Sequence, residues 1–194
     1  PHVGADAHRL HRRRSLRDAD DRKIRSAMIA FDMLSDGLFA AVAAIGFGAI
    51  SNPPRRAFLS IAIAAAIGHA LRFSLMHYVG VDIITASFCA SFVIGWVSLF
   101  LGSLIYCPMT VVYIPALLPM IPGMYAYKTI LALIRFMKND DPLVLQQLIV
   151  EIFRNGLTAL FVLFALVIGV SLPLFIFYKQ SFMMTRLLHR KKSA

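Results

Sequence analysis

Charge is scarce in this chain, and negative charge scarcer still. Only 15% of its 194 residues are charged, with 20 Lys and Arg against 10 Asp and Glu. That is too little polar surface to cover a soluble globule of this size, so an ordinary soluble domain is excluded. Cysteine is limited to Cys89 and Cys107. Neither stands at a metal-ligand spacing, and both read as small apolar side chains rather than a disulfide framework. The chain also has no glycine-rich phosphate loop ending in Lys, no paired metal-ligand motif and no nucleophile elbow. The residues therefore imply no enzyme, no metal, no cofactor and no ATP-driven step.

What the chain does have is apolar length. Hydrophobic residues make up 59% of it, and its mean hydropathy is +0.72. The runs are continuous and rich in Ala, Leu, Ile and Phe, whereas a membrane β-barrel would alternate apolar and polar residues. The expected fold is all-α: a polytopic helical membrane protein with about five transmembrane helices.

The net charge of +10 resembles a nucleic-acid signature until it is located. Eight basic residues fall in the first 27 positions and five lie from Lys179 onward. Charge concentrated at the ends fits the positive-inside bias and attraction to anionic lipid, so no nucleic-acid partner is expected. Residues 1–27 are charged, aperiodic and without a signal-peptide core, and they are expected to be disordered. Two readings of that tail stay open, a functional arm or a leader foreign to the natural protein. Residues 28–178 form the expected transmembrane domain, and 179–194 a basic cytoplasmic tail.

Within the domain, spans are expected at about 28–51, 57–79 and 82–107, and at 155–178 after an interfacial amphipathic helix over 143–154. Asn52-Pro53-Pro54-Arg55-Arg56 ends the first span, Gly80 allows a tight reversal, and Asp82 suits the start of the third. Between 111 and 137 lies Ile114-Pro115-Ala116-Leu117-Leu118-Pro119-Met120-Ile121-Pro122-Gly123. Three prolines and a glycine there predict a broken helix, a feature tolerated at membrane depth only where protein or water surrounds the freed backbone. Five crossings place Arg55 and Arg56 on the side of the final basic cluster, which makes the carboxyl terminus cytoplasmic. The eight basic residues of the amino terminus oppose this. Either that tail is foreign or residues 111–137 re-enter, and the first reading is adopted.

Several polar residues in this apolar setting are candidates for a site. Arg72 lies inside the second span, where a charge costs about 2.5–3.5 kcal/mol on insertion scales. It could bind a carboxylate in fork geometry, with His69 one turn away exchanging a proton. The alternative is that Arg72 snorkels to the interface and His69 bonds a carbonyl. Pro122 and Gly123 would open a half-helix whose free amides suit an anion, with Pro119, Tyr127 and Lys128 beside it, or else they only shape packing. Asp32 and Asp36, one turn apart, could carry a coupling proton or simply offset a helix dipole. Small residues at four-residue spacing (Gly37 and Ala41, Ala44 and Gly48, Ser87 with Ser91 and Gly95) would let helices approach closely.

Asn52-Pro53-Pro54-Arg55, then Gly68-His69-Ala70-Leu71-Arg72, then Pro115-Ala116-Leu117-Leu118-Pro119-Met120-Ile121-Pro122-Gly123 with Ala126-Tyr127, resemble the threonine/serine exporter family. The likeness is narrower still to its short YjjB-like subunit, equivalent to the carboxyl-terminal half of full-length exporters, and runs from about 38 to 179. It implies a secondary exporter subunit in the bacterial inner membrane that moves threonine and serine, or a dicarboxylate such as succinate. It implies a second membrane subunit like the amino-terminal half; self-association stays open. Two other functions remain at this stage, an ion or solute channel lined by the broken helices and a membrane assembly factor without transport of its own.

Overall fold

The computed structural model describes residues 3–177, and the side chains of residues 23 and 26–177. The expected basic tail at 179–194 lies outside the described residues. Among the described residues six α-helices follow one another: α1 (Val3–Ile50), α2 (Ala57–Ser74), α3 (Ile83–Leu104), α4 (Met109–Leu117), α5 (Gly123–Met137) and α6 (Pro142–Ile176). No strand occurs among the described residues. Four stretches of the described residues are long and apolar enough to cross a membrane, and the bent pair α4–α5 makes a fifth if taken as one span.

The chain divides into two compact units, residues 1–35 and 36–194. In the first, the segment expected to be disordered is helical from Val3 onward. Its Ala, Leu, Arg and Lys residues are strong helix formers, and Asp18/Arg22 and Asp21/Arg25 stand at the spacing that supports a helix.

In the second unit the ends of the helices follow their local chemistry. Asn52 adopts a left-handed conformation (φ 46°) to close α1, which Asn tolerates better than most residues. The last turn of α2 widens into a π-type turn over Leu75–Val79, and Gly80, at φ 70°, reverses the chain. Asp82 caps α3, its carboxylate accepting from the Thr85 hydroxyl at 2.8 Å and from the amides of Ile84 and Thr85. Those bonds, the Thr85 hydroxyl first, hold the Asp82 carboxyl below the usual range.

One expectation from sequence is corrected here. Residues 143–154 are not a separate interfacial helix: α6 runs unbroken from Pro142 to Ile176. Asp141 caps it by accepting from the Leu143 amide, and Pro142 occupies its first turn. Nothing between 142 and 176 supplies enough to stop it, since even Pro173 is held inside the helix. At 35 residues it is about 50 Å long, more than the roughly 30 Å of a bilayer core. The broken helix expected between 111 and 137 is present, although not every proline there breaks it. Pro115 sits inside α4, and the interruption is confined to Ile121 and Pro122, which follow a 3-10 turn over Leu118–Met120.

The buried core gathers Ala44 of α1, Ile61, Ala64 and Ala65 of α2, Ala90 and Ile94 of α3, Val112, Ala116 and Met120 of the α4 segment, and Val162 and Leu166 of α6. The small residues are where the backbones close. A methyl group on Gly37 would lie 3.2 Å from the Ala66 carbonyl oxygen, and one on Gly48 3.0 Å from the Ile61 side chain. α3 packs most extensively on α6. There Gly169 lies against Ser91 and Phe88, Gly95 against Val170 and Pro173, and Trp96 against Phe177. Contact positions on α3 and α6 rise together, so the two helices run parallel.

That parallel packing decides the path of the intervening segment. α4 and α5 are bent by 49°, far short of a reversal, and carry the chain from one end of the bundle to the other. A re-entrant loop would have left α6 antiparallel to α3. In a chain whose Cys89 and Cys107 are replaced by Ser, single cysteines at Gly80 and Asn139 are expected to label from one face, and a cysteine at Arg55 from the opposite face. Labelling of Asn139 together with Arg55 would show a re-entrant segment.

Candidate functional site

The site grows out of the interruption. Proline at 122 disfavours a helical Ile121, and Ile121 sits at φ −59°, ψ 129°. Pro122 then takes φ −79°, ψ 61°, the geometry of an inverse γ-turn. The Gly123 amide closes that turn on the Ile121 carbonyl at 2.8 Å. The Tyr125 and Ala126 amides both bond the Pro122 carbonyl. The amides expected to be free for an anion at the head of α5 are thus largely taken by the chain itself.

The carbonyl of Met120 is the group the break releases. In an uninterrupted helix it would accept from the Met124 amide. Instead Arg72, projecting from α2, donates to it through Nη1 at 2.9 Å. Gly68 makes the approach possible, because any side chain there would overlap Ile94 and crowd the Met120 methyl group. Arg72 is half-buried, and it is bonded to backbone rather than stretched to an interface. Met120 takes a single donor of a guanidinium that has several.

One turn earlier on α2, His69 turns Nδ1 towards Asp36 Oδ2 of α1, at 3.4 Å. His69 is 14% exposed and Asp36 42%. The other ring nitrogen, Nε2, is buried without a hydrogen-bond partner among the described residues. Asp36 and Tyr125 both lie within electrostatic reach of Arg72. The structure therefore brings together His69, Arg72 and Asp36 with the break at Met120–Gly123.

The other residues singled out from sequence lie partly at the break and partly away from it. Pro119 belongs to the 3-10 turn before the break, and Pro122 is buried in it. Tyr127 and Lys128 are exposed on α5, Tyr127 at 59%. Tyr125, half-buried, is the tyrosine nearer Arg72. Asp32 belongs to the first unit and is exposed. Cys89 and Cys107 are unpaired and half-buried. The spacing of Asp36 from Asp32 does not point to its pairing with His69, but the register of the hairpin does. Asp36 stands 16 positions before Asn52 and His69 16 positions after Pro53, which sets them level in an antiparallel hairpin.

Gly123 opens α5. A methyl group on it would meet nothing within 4 Å, so no close backbone approach within the chain requires glycine. Gly123→Ala is therefore expected to insert and fold with stability within about 0.5 kcal/mol of the parent, read by thermal unfolding in detergent. A large loss would mean that the α5 amino terminus is packed more tightly than described.

Comparison with known proteins places these residues in context. Residues 36–176 match the family described as Threonine/Serine exporter, ThrE. That range holds Asp36, His69, Arg72, the whole break and α6. A protein of Haemophilus influenzae, named only as an uncharacterized protein, is 34% identical over 148 residues, 76% of this chain and 48% of that protein. The chain thus spans about half the length of the curated relative it matches. No solved structure matches the chain.

Proposed function

Because the chain belongs to the threonine/serine exporter family, we propose that it is a subunit of a secondary exporter for a small carboxylate-bearing metabolite. Threonine and serine are the first candidates and a dicarboxylate such as succinate the second. The observation that carries this reading is the Arg72 guanidinium resting on the Met120 carbonyl at the break. A substrate carboxylate is a stronger acceptor for a guanidinium than a backbone carbonyl and can take two of its donors at once. Arrival of the substrate would draw Arg72 from Met120 and leave the carbonyl to the Met124 amide. Binding and a change in the α4–α5 bend are then one event, as alternating access requires.

The proposal extends to the setting. The matched relative is about twice as long as this chain's matched segment, which favours a partner subunit supplying the remainder. The site would sit in a bacterial inner membrane with the carboxyl terminus in the cytoplasm, following Arg55 and Arg56 and the basic residues from Lys179 onward. The test is counterflow in vesicles holding the chain and its partner, loaded with unlabelled threonine, serine or succinate and offered the labelled compound outside. Accumulation that saturates with one of these supports an exporter. A conductance that rises linearly with every anion tried would favour a channel instead.

A further inference from the structure

The charges around Arg72 do not suit every carboxylate equally. Asp36 pairs with His69, one turn from Arg72 on α2, and lies within electrostatic reach of the guanidinium; its carboxylate is open enough, at 42% exposure, to meet a ligand. His69 adds to this. With Nδ1 directed at the Asp36 carboxylate, the neutral ring carries its proton there, and Nε2 is left as a bare acceptor. That nitrogen is buried and has no donor among the described residues. Beside the guanidinium donors thus stand two acceptors, the Asp36 carboxylate, whose described partner is His69 Nδ1, and His69 Nε2, which has none among the described residues. A buried acceptor left unpaired costs about 1–3 kcal/mol, so the arrangement calls for a ligand carrying N–H or O–H groups next to its carboxylate.

We propose that Asp36 is the specificity-determining residue of this site: it receives the ammonium group of an α-amino acid whose carboxylate lies on Arg72, and it repels dicarboxylates. His69 is the positioning residue, steering the Asp36 carboxylate through Nδ1 and accepting from the ligand's ammonium or hydroxyl through Nε2. The inference rests on the reading of Arg72 as the carboxylate site. It is drawn from the sum of charges. A cluster holding one guanidinium and one carboxylate is electrically matched by a zwitterion, whereas a dianion would leave a second negative charge facing Asp36 in a medium of low dielectric constant.

The experiment compares three probes on the full chain with its partner in nanodiscs. L-Threonine is the zwitterion, 3-hydroxybutyrate keeps its carboxylate and hydroxyl but lacks the ammonium, and succinate is the dianion. The parent protein should bind threonine at least about tenfold more tightly than either anion, the scale of one good charge contact. Asp36→Asn should erase that ratio, weakening threonine and strengthening succinate. His69→Ala should lower the threonine preference in part, and His69→Gln, which keeps an acceptor, should restore some of it. A parent that prefers succinate, or an Asp36→Asn protein whose threonine-to-hydroxybutyrate ratio is unchanged, overturns the proposal. Arg72→Gln separates the two readings. If it weakens all three probes while Asp36→Asn leaves selectivity intact, the carboxylate site stands and the role of Asp36 falls. If Arg72→Gln binds all three like the parent, both fall.

Discussion

Arg72→Gln should reduce flux by between about ten- and a hundredfold while the protein still inserts and assembles. The lower figure corresponds to losing one charge-assisted hydrogen bond, and the upper to losing a two-pronged contact with the substrate carboxylate. A structural cost accompanies the change, because the Met120 carbonyl loses its donor. That carbonyl has a fallback in the Met124 amide, so the loss of stability should stay at or below about 1–3 kcal/mol, the range for an unpaired buried group. The two effects are separated by measuring saturable counterflow and thermal unfolding on the same preparations. Arg72→Lys should be intermediate in flux, since an ammonium keeps the charge but not the planar fork. It should also bond Met120 less reliably. Full flux in Arg72→Gln with a lowered melting temperature would assign Arg72 to holding the break alone.

The spans were readable because apolar length is a property of composition. Ala57–Val79, for instance, emerges with the boundaries expected for it. The interruption near 120 was readable too, but its extent was not. Proline acts locally by removing a donor, and whether the helix stops depends on what receives the freed carbonyl. Pro115 and Pro173 are both buried in tight interhelical packing and stay helical. At Pro122 the preceding residue leaves the helix, and a guanidinium is waiting for the exposed carbonyl. That rescue comes from another helix, 48 positions away, and no local pattern encodes it.

The site was legible in the same uneven way. His69 and Arg72 stood out because charge and imidazole are rare in an apolar run. Asp36 stands out in sequence for its spacing from Asp32, yet its observed neighbour is His69. Helical spacing relates residues on one helix, whereas this contact depends on the register between two. Lys128 was suggested by its distance along the chain from Gly123, but the turn at Ile121–Pro122 re-aims α5 and leaves Lys128 exposed. A bend of 49° changes which face of the following helix looks inward, and sequence spacing carries no record of it.

Gly169→Val is expected to be the most damaging single substitution for the fold, whatever the chain transports. A Cβ at 169 would collide with the Ser91 hydroxyl and stand 2.7 Å from the Phe88 carbonyl oxygen. The serine could rotate away, at the expense of its bond to the Ala165 carbonyl at 3.2 Å. The Phe88 carbonyl belongs to the α3 backbone and cannot, so the two helices must separate along their shared length. In a bilayer no hydrophobic force draws helices back together, and the close contact of small residues is itself the source of association. Overpacking typically costs about 1–3 kcal/mol, and more where backbone must move; here the widest helix interface of the unit is involved. Gly46→Val supplies the control. A methyl group at Gly46 meets nothing within 4 Å, so only the modest effect of a β-branched residue in a helix should appear. In detergent, Gly169→Val should elute as aggregate or melt well below the parent, while Gly46→Val should melt close to it. Equal melting of the two would mean that α3 and α6 do not meet at Gly169, and the parallel packing that fixes the path of α4 and α5 would have to be abandoned.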